Sequence, residues 1–172
     1  MPDAPSSSSP TPSHLPRSPR IQVPPNCELT LGMRCLDKSQ PGRTTWEMGA
    51  DERFANPAGI IQGGFLSAMA DSAMGSAAVT FARAAGRSVI AANVEMKTSF
   101  MAAVRVDSVL RCTATIVSGG ERVAFAEAEV LDDLGRMVVR ATSTYLYTER
   151  APRDERTVEP LGDGGAGAPT SL

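Results

Sequence analysis

Two hydrophobic periods divide the chain. Residues 27–36 alternate loosely between apolar and polar positions and predict a strand, and Gln40-Pro41-Gly42 supplies turn chemistry. Residues 43–49 are rich in β-branched and aromatic side chains and predict a second strand, paired with the first as a hairpin. Residues 65–85 then change period. Apolar or small side chains cover almost the whole circumference of a helix, which is the pattern of a buried one, and Gly86 ends it. The remainder reads as β: strands over 89–101, 104–117, 122–131 and 137–147, with turns at Ser118-Gly119-Gly120 and 132–135. The third of these alternates most clearly. Ala124, Ala126, Ala128 and Val130 share one face, and a row of alanines suits a face on which a helix lies closely. Short hairpin links favour antiparallel pairing. The expected architecture is α+β, an antiparallel sheet wrapped around one long buried helix. Such a helix needs more cover than one sheet provides, so a second subunit is expected to extend the sheet or pack a second helix alongside.

Composition changes this picture at the ends. Residues 1–26 have abundant Pro and Ser and no apolar period, so a disordered tail is expected there. Residues 150–172 are polar and Gly-rich and read as a flexible tail. Residues 27–149 remain as a single domain, a size at which a core can be built. The formal net charge of −2 argues against a nucleic-acid partner and against an anionic membrane surface. No apolar run suits a membrane span and no secretory signal is visible, so a cytoplasmic protein is expected. The three cysteines lack metal-ligand spacing and read as buried small hydrophobes in a reducing compartment. The single histidine, His14, lies in the tail. A Ser-His-Asp or Cys-His arrangement and a His-based zinc site therefore have no source in the folded part. No metal or redox cofactor is implied. Chemistry must come from carboxylates, amides, hydroxyls and backbone dipoles.

The candidate chemistry lies where the helix begins. Asn56-Pro57-Ala58-Gly59-Ile60-Ile61-Gln62-Gly63-Gly64 runs into the helix, and Asp71 follows seven residues after Gly64. Seven steps return nearly to the same helix face, which puts a carboxylate beneath a Gly-rich helix N-terminus. A buried charge needs a partner or a chemical task. One alternative for Asp71 is a purely structural one, satisfied by Ser67, Ser72 or Ser76 in a subunit interface.

This constellation resembles the hotdog-fold acyl-CoA thioesterases of the phenylacetate-degradation type, which include 4-hydroxybenzoyl-CoA thioesterases. Their pattern is Asn-x-x-Gly-x-x-His-Gly-Gly, with Asp or Glu eight residues after the first glycine of the pair. Asn56, Gly59, Gly63, Gly64 and Asp71 fall on it, and Gln62 stands in place of the histidine. Glutamine keeps a donor and an acceptor but loses the titratable ring. The resemblance implies hydrolysis of an acyl-CoA to the free acid and coenzyme A, in a site shared by two subunits of a homodimer or a dimer of dimers. Asp71 would be general base or nucleophile. Gly63 would donate its N–H to the oxyanion, a role that the free amides of a helix start suit. Asn56 would help hold the thioester carbonyl or the water, Gln62 and Gly64 would help position the substrate, and Asn93 would orient Asp71 or the water.

Blander readings stand beside these. Asn56 could be an ordinary Asn-Pro turn, Gly63-Gly64 a tight helix entry, and Asn93 a polar residue at a strand edge. Lys97, Arg105 and Arg122 could meet phosphates, although strand and hairpin charges are usually just solvated. Met69, Met74, Met96, Phe100 and Met101 could line an acyl pocket, with core packing the default. A non-catalytic acyl-CoA binding module on the same fold is the main alternative function. A dehydratase or hydratase is weaker, since those chemistries generally need a histidine.

Overall fold

The clean alternation after Gly86 does become sheet. In the computed structural model, which describes residues 26–150, β1 (Arg34–Asp37), β2 (Arg43–Gly49), β3 (Val89–Phe100), β4 (Val109–Gly119), β5 (Val123–Leu131) and β6 (Met137–Glu149) form one six-stranded sheet. Its order is β1-β2-β4-β5-β6-β3, with every neighbouring pair antiparallel. Among the described residues two α-helices, α1 (Asn26–Leu31) and the 22-residue α2 (Gly63–Ala84), and a short 3-10 helix (Glu52–Phe54) complete the fold. The arrangement is the hotdog fold. Apart from Asn26 and Arg150, the two expected tails lie outside the described residues.

The helix lies on the alanine face, as the pattern required. Ala124, Ala126, Ala128 and Val130 of β5 are buried, as are Met69, Ala70, Ala73, Met74 and Ala77 of α2, and the two elements pack together. Small residues let the helix backbone approach the sheet, and the buried methionines fill what the alanines leave. Three sheet hydroxyls reach helix carbonyls. Thr44 donates to Ala73 O at 2.9 Å and Tyr147 to Ala78 O at 2.9 Å, and the Tyr145 oxygen lies 3.0 Å from Asp71 O. Gly86 ends α2 with φ +76°, and its amide donates to Arg83 O at 2.9 Å. Gly86→Ala is therefore expected to cost roughly 1–2 kcal/mol, because a Cβ is strained at positive φ. A lowered urea midpoint with an unchanged slope reads this out; an unchanged midpoint contradicts the cap.

Several expectations are corrected. Residues 27–36 do not form one strand: α1 occupies the first part and β1 only its end. The α1 sequence, Asn-Cys-Glu-Leu-Thr-Leu, places Glu28 and Leu31 three apart, and both are buried, which is helical spacing that also reads as alternation over so short a run. The strand expected over 104–117 begins at Val109, after a bend in which Asp107 takes φ 68°. The long helix starts two residues earlier than the apolar pattern, at Gly63. Of the cysteines only Cys112 is fully buried, its thiol pushed up to about 12 by burial; Cys27 is exposed and Cys35 half-buried. Met69 and Met74 are core, but Phe100 and Met101 are each 54% exposed, so core packing fails for those two.

Candidate active site

Asp71 sits mid-helix on the side of α2 that meets β3 and β6. Asn93 Nδ2 of β3 donates to Asp71 Oδ1 at 2.6 Å, and the Tyr145 hydroxyl of β6 donates to the same oxygen at 2.7 Å. Oδ2 has no protein partner among the described residues. The amide of Asn93 is itself oriented. Ser143 Oγ donates to Asn93 Oδ1 at 3.0 Å and lies 2.8 Å from Glu95 O, which turns the Asn93 NH2 toward the carboxylate. A bulge between Asn93 and Glu95 interrupts the β3–β6 register at this point. The serines 67, 72 and 76 make no hydrogen bond to Asp71, so the partner set differs from the structural one considered above.

Tyr145 is the residue that sequence reasoning missed. It is almost fully buried, and burial, with the hydrogen bond and charge of Asp71 added, pushes its phenol well above the usual range. The group remains a donor throughout the working pH range. The only trace in the sequence is that Ser143, Tyr145 and Tyr147 alternate on one face of a strand, which puts all three hydroxyls beneath α2.

The glycine pair lies elsewhere on the helix. Gln62 is the N-cap residue, extended at φ −63° and ψ 131°, and its exposed side chain makes no capping bond. The amides of Gly63 and Gly64 donate to nothing among the described residues. They are the unpaired donors of a helix start, at its positive end. Phe100 presses on Gly63: a Cβ there would stand 2.8 Å from the ring. Gly63 and Asp71 both face β3, but eight residues separate them, about 12 Å along a helix axis. They line different cavities, each of about 450 Å³. One is bounded by Gly63, Leu66, Phe100 and Met101, and the other by Asp71, Asn93, Tyr145, Ser76 and Val79.

Asn56 organises the loop before the helix. Its Oδ1 accepts from the amides of Ala58 at 3.0 Å and Ile60 at 3.2 Å, and Gly59 turns the chain at φ 71°. The structure thus brings Asn93 to Asp71 but leaves Asn56, Gln62, Gly63 and Gly64 as a separate group at the helix start. Lys97, Arg105 and Arg122 are exposed and form no ion pair among the described residues. No group of three or more His, Cys, Asp or Glu side chains among those residues could hold a metal ion. No helix there is long and apolar enough to cross a membrane.

With this geometry in hand, comparisons place the chain among known proteins. Residues 58–139 match the family model described as Thioesterase superfamily. Acyl-coenzyme A thioesterase 13 of Homo sapiens is 23% identical over 120 residues, covering 69% of this chain and 83% of that protein. The PaaI protein of the phenylacetic acid degradation operon of E. coli superposes with a TM-score of 0.65 at 17% identity, over 71% of this chain and 83% of that one. A hypothetical thioesterase of Streptococcus pneumoniae TIGR4, solved with coenzyme A, superposes with a TM-score of 0.62 at 19% identity, over 69% and 87%. The structural likenesses establish the fold.

Proposed function

We propose that this chain, a member of the thioesterase superfamily and a thioester hydrolase, cleaves an acyl- or aryl-CoA to the free acid and coenzyme A. The observation that carries the reading is the carboxylate of Asp71. It opens on a cavity with Oδ1 held by Asn93 and Tyr145 and Oδ2 left for chemistry. Two donors on one oxygen fix the other in direction, which is what a general base or a nucleophile requires. As base, Oδ2 takes a proton from water while the water oxygen bonds to the thioester carbon. As nucleophile, Oδ2 bonds to that carbon and water later cleaves the anhydride. In either route the carbonyl electron pair moves onto oxygen and returns as the C–S bond breaks, and the departing thiolate takes up a proton. The Gly63 N–H stabilises that oxyanion. Tyr145 and Asn93 position Asp71, and Ser143 positions Asn93.

One carbonyl cannot touch Gly63 and Asp71 across about 12 Å of a single helix. The reading therefore assembles the site from two chains, with Asp71 of one facing Gly63 of the other. The fold supports this arrangement. β3 carries Asn93 and Phe100, closes one edge of the sheet and is exposed along most of its length. Such an edge invites pairing with another strand. The functional unit is then a homodimer, with a dimer of dimers as the assembled form, in a cytoplasm where the three cysteines stay free. The Streptococcus protein's coenzyme A complex supports coenzyme A as carrier. Gln62 and Gly64, at the mouth of the helix, position the substrate. Asn56 acts by holding the loop that presents them.

The test is thiol release, followed with a disulfide dye, on acyl-CoAs from acetyl to lauroyl plus phenylacetyl and benzoyl. Selective turnover is expected. Binding of these thioesters without turnover would favour the second reading, a non-catalytic acyl-CoA module, which the glutamine at position 62 brings to mind.

A further inference from the structure

We propose that Arg83, Arg87 and Arg150 form a carboxylate subsite at the C-terminal end of α2, and that the preferred substrate is a mono-CoA ester of a dicarboxylic acid, whose free carboxylate lies against them. This rests on the reading of Asp71 given above. The three arginines line a cavity of about 310 Å³, together with Val79, Ser88 and Val89. No acid among the described residues lines it, although the chain as a whole has a formal net charge of −2. Arg87 is fixed in place. It donates to Glu149 Oε1 at 2.7 and 3.1 Å and lies 5.3 Å from the centre of the Tyr147 ring. Arg83 and Arg150 are exposed, and their guanidinium groups have no ion-pair partner among the described residues. The Arg150 amide donates to Ser88 O at 2.9 Å, which ties this arginine to the chain entering β3.

Cations gathered on one cavity repel, and an anion between them turns repulsion into attraction. The planar fork of a guanidinium matches the two oxygens of a carboxylate. The last carbonyls of α2, which would oppose an anion, are partly taken: Ala82 O accepts from the amides of Ala85 and Arg87, and Arg83 O from that of Gly86. The subsite adjoins the Asp71 cavity, since Val79, Val89 and Arg150 line both. Eight residues part Asp71 from Val79, about 12 Å along the helix, and Arg83 lies about one turn further. The wall of the Asp71 cavity includes Ser72, Gly75, Ser76, Ile90 and Ala91, small or apolar side chains that pass a methylene chain. Glu28 lines that cavity from α1, but the cation whose field reaches it is Lys38 and not Arg150. A dicarboxylyl chain that spans the distance sets its thioester at Asp71 and its carboxylate at the arginines. A methyl-ended chain leaves the arginines unpaired, and a short dicarboxylyl chain falls short of them.

The experiment measures Kd by calorimetry on the full chain carrying Asp71→Asn, for succinyl-, adipyl-, suberyl- and sebacyl-CoA against butanoyl-, hexanoyl-, octanoyl- and decanoyl-CoA. Suberyl- or sebacyl-CoA is expected to bind at least about tenfold more tightly than its methyl-ended counterpart, the size of one charge-assisted hydrogen bond, and succinyl-CoA to show no such advantage. With Arg83→Gln and Arg150→Gln added, the advantage of the long dicarboxylyl thioesters falls to about one. Each single substitution is expected to remove part of it, and these serve if the double variant does not fold. Equal binding within every pair, binding of none, or an advantage unmoved by the substitutions would each overturn the proposal. So would an equal loss on both members of a pair, which would put the arginines on the phosphates of coenzyme A. Wild-type turnover is measured in parallel on the same thioesters. Its absence would remove the hydrolytic reading, while the binding ratios still decide the role of the arginines.

Discussion

Asp71→Asn is expected to fold as the parent does and to lose about three orders of magnitude in kcat, the middle of the range for a positioned acid–base group. Asparagine keeps the shape of the side chain and an oxygen that can accept from Asn93 and Tyr145, whose hydrogen bonds to Oδ1 measure 2.6 and 2.7 Å. It loses the lone pair that takes a proton or attacks carbon. The loss should therefore appear in kcat with thermal unfolding little changed, which separates chemistry from stability. Turnover within a few-fold of the parent would remove Asp71 from the mechanism. Tyr145→Phe is the graded companion. It deletes one of the two donors and leaves Asn93 in place, so a loss of about tenfold is expected. The phenol is held above its ordinary range by burial and by Asp71, so its ionisation should produce no fall in rate below about pH 10.

The second large effect is expected at Gly63, and it is tested by removing an N–H without removing a helix. Position 63 is the first helical residue, where proline is well accommodated, and Gln62 before it already has the extended backbone that a following proline favours. The obstacle is the Phe100 ring, which a Cβ at position 63 would meet at 2.8 Å. In a Phe100→Ala background Gly63→Pro is expected to lower kcat by about 10²–10³, the value of one oxyanion donor. Gly63→Ala in the same background keeps the amide and should retain most of the activity. If proline and alanine behave alike, the amide has no part in the reaction. The same variant tests the shared site. Subunits carrying Asp71→Asn and subunits carrying Gly63→Pro with Phe100→Ala, each nearly inactive alone, are refolded together. Random pairing makes half the dimers mixed, each with one intact site of two in which Gly63 and Phe100 are both unmutated, so activity should return to roughly a quarter of that of the parent. No recovery would place both residues of a working site in one chain.

What could be read from the chain alone, and what could not, divides by range. Burial patterns are local. The alanine face of β5, the apolar circumference of α2, the stop at Gly86 and the turns around Gly120 and Gly135 each depend on residues a few positions apart. Propensity and periodicity suffice for those, and with them the α+β layout. The same period placed Asp71 and the glycine pair on one helix face, which the structure keeps. The rise of about 1.5 Å per residue sets the two about 12 Å apart along that face. Six residues of α1 carry too short a pattern to tell helix from strand.

The carboxylate's environment was beyond any local reading. Tyr145 meets Asp71 across 74 residues, and Ser143 meets Asn93 across 50. Those encounters follow from strand order, which places β6 and β3 side by side, from a register that a bulge shifts at Asn93, and from the side of α2 turned toward them. The sequence by itself determined the long helix, the acid it bears and the strands that pack on it, though not the short α1, because side-chain burial repeats with the period of the backbone over long elements. Only the tertiary structure decided which oxygen of that acid is held and which is free, because hydrogen bonds of 2.6 and 2.7 Å depend on how distant strands are laid together.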